Sequence, residues 1–275
     1  MTVERWRLID SGSLPGHLNM AIDMALAKFT SSGNSFPTVR FYGWSPAAIS
    51  LGFHQSSKEI DTELCEKDGV DVVIRPTGGR AILHAEELTY AVSLPANSRY
   101  YDKDIMTVYE RLSRCLVSGL NQLNIPVTFE KADKTPKNFS RGELSSLCYA
   151  SSIQHEIGYN GKKLVGSAQR RFDGAALQHG SILIGRRHLD LPNYLAQKTI
   201  ERKKAMRRYM EANTICLNDL SSIPVSYSDV AEAIKNGFEE ELDIEFFVDE
   251  LSGDEMAKAR ELQENFSAFR ASGAK

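Results

Sequence analysis

Arg75-Pro-Thr-Gly-Gly-Arg-Ala-Ile-Leu-His-Ala-Glu-Glu-Leu-Thr-Tyr-Ala91 is the stretch from which the fold is read. The apolar run Val70 to Ile74 leads into it as a buried strand. Pro76 ends that strand, because proline cannot donate to a sheet ladder. Gly78-Gly79 lets the backbone take positive φ and approach a ligand closely. Strand character resumes at Ala81 to Leu83 and again at Leu88 to Val92. A glycine bend between strands, flanked by Arg75 and Arg80, suits a carboxylate, a phosphate or an acyl carbonyl. From the residues alone, an ordinary turn carrying two solvated arginines is the commoner reading of such a stretch.

Outward from this bend the chain alternates strands and helices. A strand at Trp6 to Ile9 is followed by a helix from a cap at Asn19 to about Phe29. Strands are expected at Thr38 to Tyr42 and Ala47 to Leu51, then an amphipathic helix over Ile60 to Asp68. Asp104 caps a long helix to about Leu123, whose apolar stripe includes Val108, Leu112, Cys115, Leu116 and Leu120. A strand at Val127 to Glu130 precedes a polar stretch, Lys131 to Ser146, which reads as a solvated loop or as a segment that folds over substrate. Asn160-Gly161 joins the strands Ile153 to Tyr159 and Lys163 to Arg170 as a hairpin. Another strand, Ala175 to Ile184, follows. Beyond His188 helices are expected at Asp190 to Lys198, Glu201 to Glu211, Ser226 or Ser228 to Leu242, and Asp254 to Phe266. The Glu201 helix carries Arg202, Lys203, Lys204, Arg207 and Arg208, a solvated face or one that meets an acidic carrier protein. The fold class read from this order is α+β (α/β), a mixed and largely antiparallel sheet with flanking helices. Residues 1–189 form the catalytic core, and residues 190–275 form a helical part of the same domain or a small appendage.

The totals narrow the function classes. The chain has 275 residues, 42% hydrophobic and 25% charged, with a net charge of −3. That composition fits a globular protein and disfavours a broad nucleic-acid footprint. No apolar run approaches a membrane span and no signal-peptide core is present, so a cytoplasmic location is expected. The four cysteines, Cys65, Cys115, Cys148 and Cys216, are too scattered for a disulfide framework or a zinc ribbon, and no metal site is expected. Cys65 and Cys115 read as packing groups. Cys148, in a stretch of mostly small residues ahead of the hairpin, is an inert thiol, as most lone cysteines are, or a nucleophile if a nearby charge or base lowers its pKa.

Arg75 to His84 resembles the signature of the lipoate–protein ligase and octanoyltransferase family, whose catalytic fold is shared with biotin–protein ligases. Three further stretches agree in order: Asn19-Met-Ala-Ile-Asp-Met-Ala-Leu26, Ser50-Leu-Gly-Phe-His-Gln55, and Gly161 to Gln169 with Gln178-His-Gly-Ser-Ile-Leu183. The resemblance is nearest to the cysteine-dependent octanoyltransferases of lipoate assembly, which carry a cysteine at the place of Cys148. It implies Cys148 and Lys163 as catalytic residues. It also implies Arg75, Thr77, Gly78, Gly79, Arg80, His84, Gly166, Ser167, Ala168 and His179 as substrate-binding residues. Gly52 to Gln55 is placed by it in an acyl pocket, expected as a narrow apolar tunnel with a polar mouth near Gly79, Cys148 and Lys163. Met24 and Ile74 depart from the family pattern, which has an acidic residue and a second arginine there.

The implied activity moves an octanoyl group from octanoyl-acyl carrier protein, through a Cys148 thioester and without a cofactor, to lipoyl-domain proteins such as glycine-cleavage H protein. Three alternatives stand beside it: an ATP- and magnesium-dependent lipoate–protein ligase, an octanoyl amidotransferase between lipoyl domains, and a non-catalytic relative. Cys148 and Arg80 speak against the ligase, and Cys148 with Lys163 against a relative that has lost its chemistry.

Overall fold

The computed structural model describes residues 3–33, 35–131 and 155–268. In chain order the elements begin with β1 (Glu4–Leu14), α1 (Gly16–Ser31), β2 (Thr38–Trp44), β3 (Ala48–Leu51), α2 (Thr62–Lys67), β4 (Asp71–Ile74), β5 (Ile82–His84) and β6 (Glu87–Pro95). They continue with α3 (Ile105–Gln122), β7 (Thr128–Lys131), β8 (His155–Tyr159), β9 (Lys162–Phe172) and β10 (Ala175–Leu183). The remainder is α4 (Ile200–Asn213), α5 (Leu217–Leu220), α6 (Tyr227–Leu242), β11 (Ile244–Val248) and α7 (Gly253–Leu262).

Eight strands form one sheet in the order β11-β1-β2-β6-β10-β9-β8-β7. Only the β1 pairings, with β11 and β2, are parallel; the rest are antiparallel. The mixed, largely antiparallel sheet read from the sequence is therefore the one observed. A second, three-stranded sheet, β4-β3-β5, carries the glycine bend between β4 and β5. Strands β2, β3, β6 and β10 are buried along their whole length, so the polar groups on them, Arg40, Glu87 and His179 among them, are buried as well. One core, holding Leu88, Tyr90 and Val92, also takes the inner faces of α3 and α6. The other takes α1 and α7 together with Ile9, Tyr42 and Trp44.

Several local expectations change. Asn19 is not a helix cap: α1 begins at Gly16 after Pro15, and the Asn19 amide donates to the Leu14 and Gly43 carbonyls at 3.0 and 2.9 Å. The Asp190 to Lys198 helix is instead a 3₁₀ stretch, Arg187–Tyr194, with Pro192 inside it; proline there removes a helical donor. β1 runs past Ile9 to Leu14 across a register shift between Asp10 and Ser13. β11 was not anticipated. It follows α6 directly through Asp243, whose φ of 49° ends the helix without a glycine. The carboxy-terminal part thus supplies an edge strand to the main sheet as well as helices. Asp104 does cap α3, accepting from the Met106 amide at 3.0 Å, and Cys65 and Cys115 are fully buried. Asn160 and Gly161 turn the β8–β9 hairpin with φ of 49° and 74°.

Candidate active site

Arg75 leaves β4 with its amide bonded to the Leu51 carbonyl, and its side chain turns inward, 4% exposed. Its guanidinium donates to the carbonyls of Gly78 (3.0 Å), Ser50 (2.9 Å) and Arg80 (2.7 Å), and to the Ser50 hydroxyl (3.1 Å). The charge expected to meet substrate is spent largely on shaping the bend from behind. Gly78 and Gly79 are left exposed at its crest, with Gly79 at φ 99°, a conformation that favours glycine.

Gly52 lies directly beneath. A Cβ there would stand 2.1 Å from the Gly79 carbonyl oxygen and 2.8 Å from its carbon. Both atoms are backbone, so the bend itself must move. Gly52→Ala is expected to lower kcat/KM on the order of 10²-fold through misplacement of the bend. Steady-state kinetics at fixed folded fraction checks this.

Behind the bend lies a mainly apolar cavity of about 260 Å³. Arg75, Gly78, Gly79, His84, Lys163, Gly166, Ser167, Ala168 and His179 all line it. Thr77 and Arg80 do not. Thr77 is buried and bonds the His179 ring, while Arg80 contributes its carbonyl to Arg75. The turn after β3 also falls outside the lining: Phe53 and His54 are exposed, and Phe53 lies under the Arg170 guanidinium. Of the motif Ser50 to Gln55, only Ser50, on the strand before the turn, lines the cavity. Met20, Tyr42, Trp44, Ile82, Thr89, Gln169, Gly180 and Ser181 also line the cavity, and sequence reasoning did not single them out. Cys148 and residues 132–146 of the polar stretch lie outside the described residues.

Two buried histidines are held in the same manner. His84 Nδ1 is 2.8 Å from Glu87 and Nε2 is 2.7 Å from the Ser50 hydroxyl, with the ring stacked on Trp44. His179 Nδ1 is 3.0 Å from Asp23 and Nε2 is 2.6 Å from the Thr77 hydroxyl. An ionised carboxylate only accepts, so Nδ1 carries a proton in both rings. Burial opposes ionisation of Glu87, but the His84 charge and the hydrogen bonds from His84 and Thr89 outweigh it and hold the carboxyl below its usual range. Burial likewise opposes ionisation of Asp23. The bond from His179, the charges of Arg40 and His179 and the Tyr42 hydroxyl outweigh it, and its acidity also rises.

Lys163, 5% exposed, pairs with Glu156 at 2.8 Å and lines the cavity near the bend. Its carbonyl accepts from the Ile215 amide, which ties the end of α4 to β9. Cys65, Cys115 and Cys216 are buried and none lines the cavity. Burial pushes the Cys65 thiol up to about 12 and that of Cys216, beside Asp219, up to about 11; Cys115 is also raised by burial. None of these three is poised as a thiolate. Among the described residues no cluster of three or more ligating side chains exists, and no helix is long and apolar enough to cross a membrane.

The catalytic-domain model of the lipoyl protein ligase A/B family matches residues 15–239. The chain is 35% identical to a protein named octanoyltransferase LipM from Halalkalibacterium halodurans, across 94% of this chain and 95% of that one. The namesake from Staphylococcus aureus is also 35% identical, with 96% of each chain covered. In structure the chain is similar to a bipartite lipoate protein ligase of Thermoplasma acidophilum, with a TM-score of 0.76 and 22% identity over 95% of this chain and 92% of that one. A second T. acidophilum structure, a lipoate protein ligase with bound lipoic acid, aligns at a TM-score of 0.71 and 22% identity, covering 96% of each. These two bear on the fold alone. The matched segment holds the bend, the cavity and Lys163, and the chain belongs to the lipoyl protein ligase A/B catalytic domain family and is an acyltransferase.

Proposed function

We propose that this enzyme transfers an octanoyl group from acyl carrier protein to a lysine of lipoyl-domain proteins, glycine-cleavage H protein among them, through a thioester on Cys148. The observation that carries the reading is the mainly apolar cavity lined by buried Tyr42 and Trp44 together with the exposed Gly78 and Gly79 and the buried Lys163. Relatives named octanoyltransferase over nearly the whole chain support the same acyl group. With the other three thiols buried away from the cavity, Cys148 is the cysteine left for the chemistry.

In the first half-reaction the Cys148 thiolate attacks the carrier-bound thioester. Gly78 and Gly79 amides and the Lys163 ammonium stabilise the developing oxyanion, and collapse expels the carrier's thiolate, which takes a proton from solvent. In the second, the neutral ε-amine of the acceptor lysine attacks the enzyme thioester. An amide forms, the amine's proton is lost, and the Cys148 thiolate leaves. The donor is already an activated thioester, so neither ATP nor magnesium is needed, and the enzyme works in the cytoplasm. The basic residues of α4, tied to β9 beside Lys163, suit an acidic carrier.

Incubation with octanoyl-acyl carrier protein and H protein, without nucleotide, should yield octanoylated H protein by mass spectrometry. Transfer that requires ATP and free acid would overturn this in favour of a ligase. Lys163→Met is expected to slow formation of the acyl-enzyme roughly 10²–10³-fold, the cost of losing one oxyanion donor. Rapid-quench single turnovers check it.

A further inference from the structure

We propose that Glu156 is a positioning residue that keeps Lys163 charged and so prevents the enzyme from acylating itself. The proposal rests on the acyl-transfer reading above, which sets Lys163 against an acyl thioester. In that reading the productive step is attack on the thioester by a lysine amine. Lys163 is itself a lysine lining the cavity. Without its proton it would be a resident competitor of the acceptor lysine, with no docking step to make.

The Lys163 side chain is 4% exposed, and its Nζ donates to Glu156 Oε1 at 2.8 Å. Burial disfavours an ammonium, and a carboxylate in contact with it favours the charged form again. An ammonium has no lone pair with which to attack, yet it still donates to an oxyanion. The pairing is built into the hairpin. Glu156 lies on β8 and Lys163 on β9, either side of the Asn160–Gly161 turn. The register shifts between Ile157 and Gly158, and Lys163 is the partner of Gly158 at that irregularity. A Cβ on Gly158 would stand 2.2 Å from the Lys162 carbonyl oxygen, so the two strands approach there as only glycine allows. From the other side the Ile215 amide donates to the Lys163 carbonyl at 3.0 Å. The Lys163 backbone is thus gripped on both sides, and Glu156 directs its ammonium. Lys162 is a control supplied by the fold: its Nζ donates to the Glu211 carbonyl at 3.3 Å, at the surface, and it does not line the cavity.

Glu156→Gln keeps the shape of the side chain and removes its charge, which moves Lys163 toward the neutral amine. That amine attacks the bound thioester: a C–N bond forms, the C–S bond breaks, the sulfur leaves as thiolate and the surplus amine proton passes to solvent. The product is an octanoyl amide on Lys163. The test incubates full-length wild type, Glu156→Gln and Glu156→Asp with octanoyl-acyl carrier protein in the absence of acceptor. Neutral hydroxylamine then strips thioesters and leaves amides, and the folded fraction from gel filtration is mapped by peptide mass spectrometry. Glu156→Gln should retain roughly tenfold or more octanoyl amide on Lys163 than wild type, with Lys162 unmodified. Glu156→Asp restores the charge and should fall back toward the wild-type level. A role in packing alone would not place an amide on this one lysine. Equal amounts on Lys163 in wild type and Glu156→Gln, or equal amounts on Lys162 and Lys163, overturn the proposal and leave octanoyl transfer standing. A wild-type enzyme that delivers no octanoyl group to H protein overturns the acyl-transfer reading, and this proposal with it.

Discussion

Cys148→Ser is expected to abolish octanoyl transfer to H protein, lowering single-turnover rates by roughly 10³-fold or more. The reason is chemical. A serine hydroxyl is almost wholly protonated at neutral pH, whereas a cysteine thiol ionises far more readily. No second thiol can substitute, since Cys65, Cys115 and Cys216 are buried with raised pKa values and do not line the cavity. Replacing those three should leave the chemical step intact, because each acts in packing. Rapid-quench turnover of the four single variants separates the roles. Transfer that survives in Cys148→Ser but is lost in one of the other three would reverse the assignment.

Asp23→Ala is expected to be the most destabilising single change, at about 3–5 kcal/mol. Asp23 is fully buried and accepts from Arg40 at 2.7 Å, Tyr42 at 2.8 Å and His179 at 3.0 Å. Its removal leaves the Arg40 charge, itself fully buried, without a counter-ion. For a chain of this size the melting temperature should fall on the order of 10 °C. Asp23→Leu combined with Arg40→Met should recover part of the loss, since both charges then leave the interior together. The pH dependence has a definite sign. The folded-state pKa of Asp23 is depressed, so its contribution is present above the unfolded carboxylate value, near 4, and is lost as pH falls through the folded value. Urea unfolding from pH 7 to pH 3 should show a shallower acid limb in Asp23→Ala than in wild type.

Asp23 also marks where sequence reading ends. An aspartate within the apolar run Met20 to Leu26 is a visible anomaly, since buried carboxylates need partners. Nothing local says that the partners are Arg40, Tyr42 and His179, because two other elements, β2 and β10, bring them to Asp23 on α1. The neighbouring Met24 drew notice as a departure from the family pattern, but it is a partly buried apolar group packed beside the α1 core. The bend was legible because proline and paired glycine act within a few residues. The direction of Arg75 was not, because its acceptors are carbonyls spread over residues 50 to 80. The α3 stripe and the β8–β9 hairpin were legible from periodicity and turn chemistry. β11 was missed because its five residues, Ile-Glu-Phe-Phe-Val, follow a helix with no glycine or proline between them. Tyr42 looked like an ordinary strand aromatic and Trp44 like part of a turn; that both line the cavity depends on residues brought in from other elements.

The most direct measurement is the intact mass of the enzyme after exposure to octanoyl-acyl carrier protein alone, with neither nucleotide nor acceptor. A gain of one octanoyl group, removed by neutral hydroxylamine and mapped to the Cys148 peptide, is the expected result. An unmodified mass, under conditions where octanoylated H protein forms once the acceptor is added, would contradict transfer through an enzyme-bound thioester.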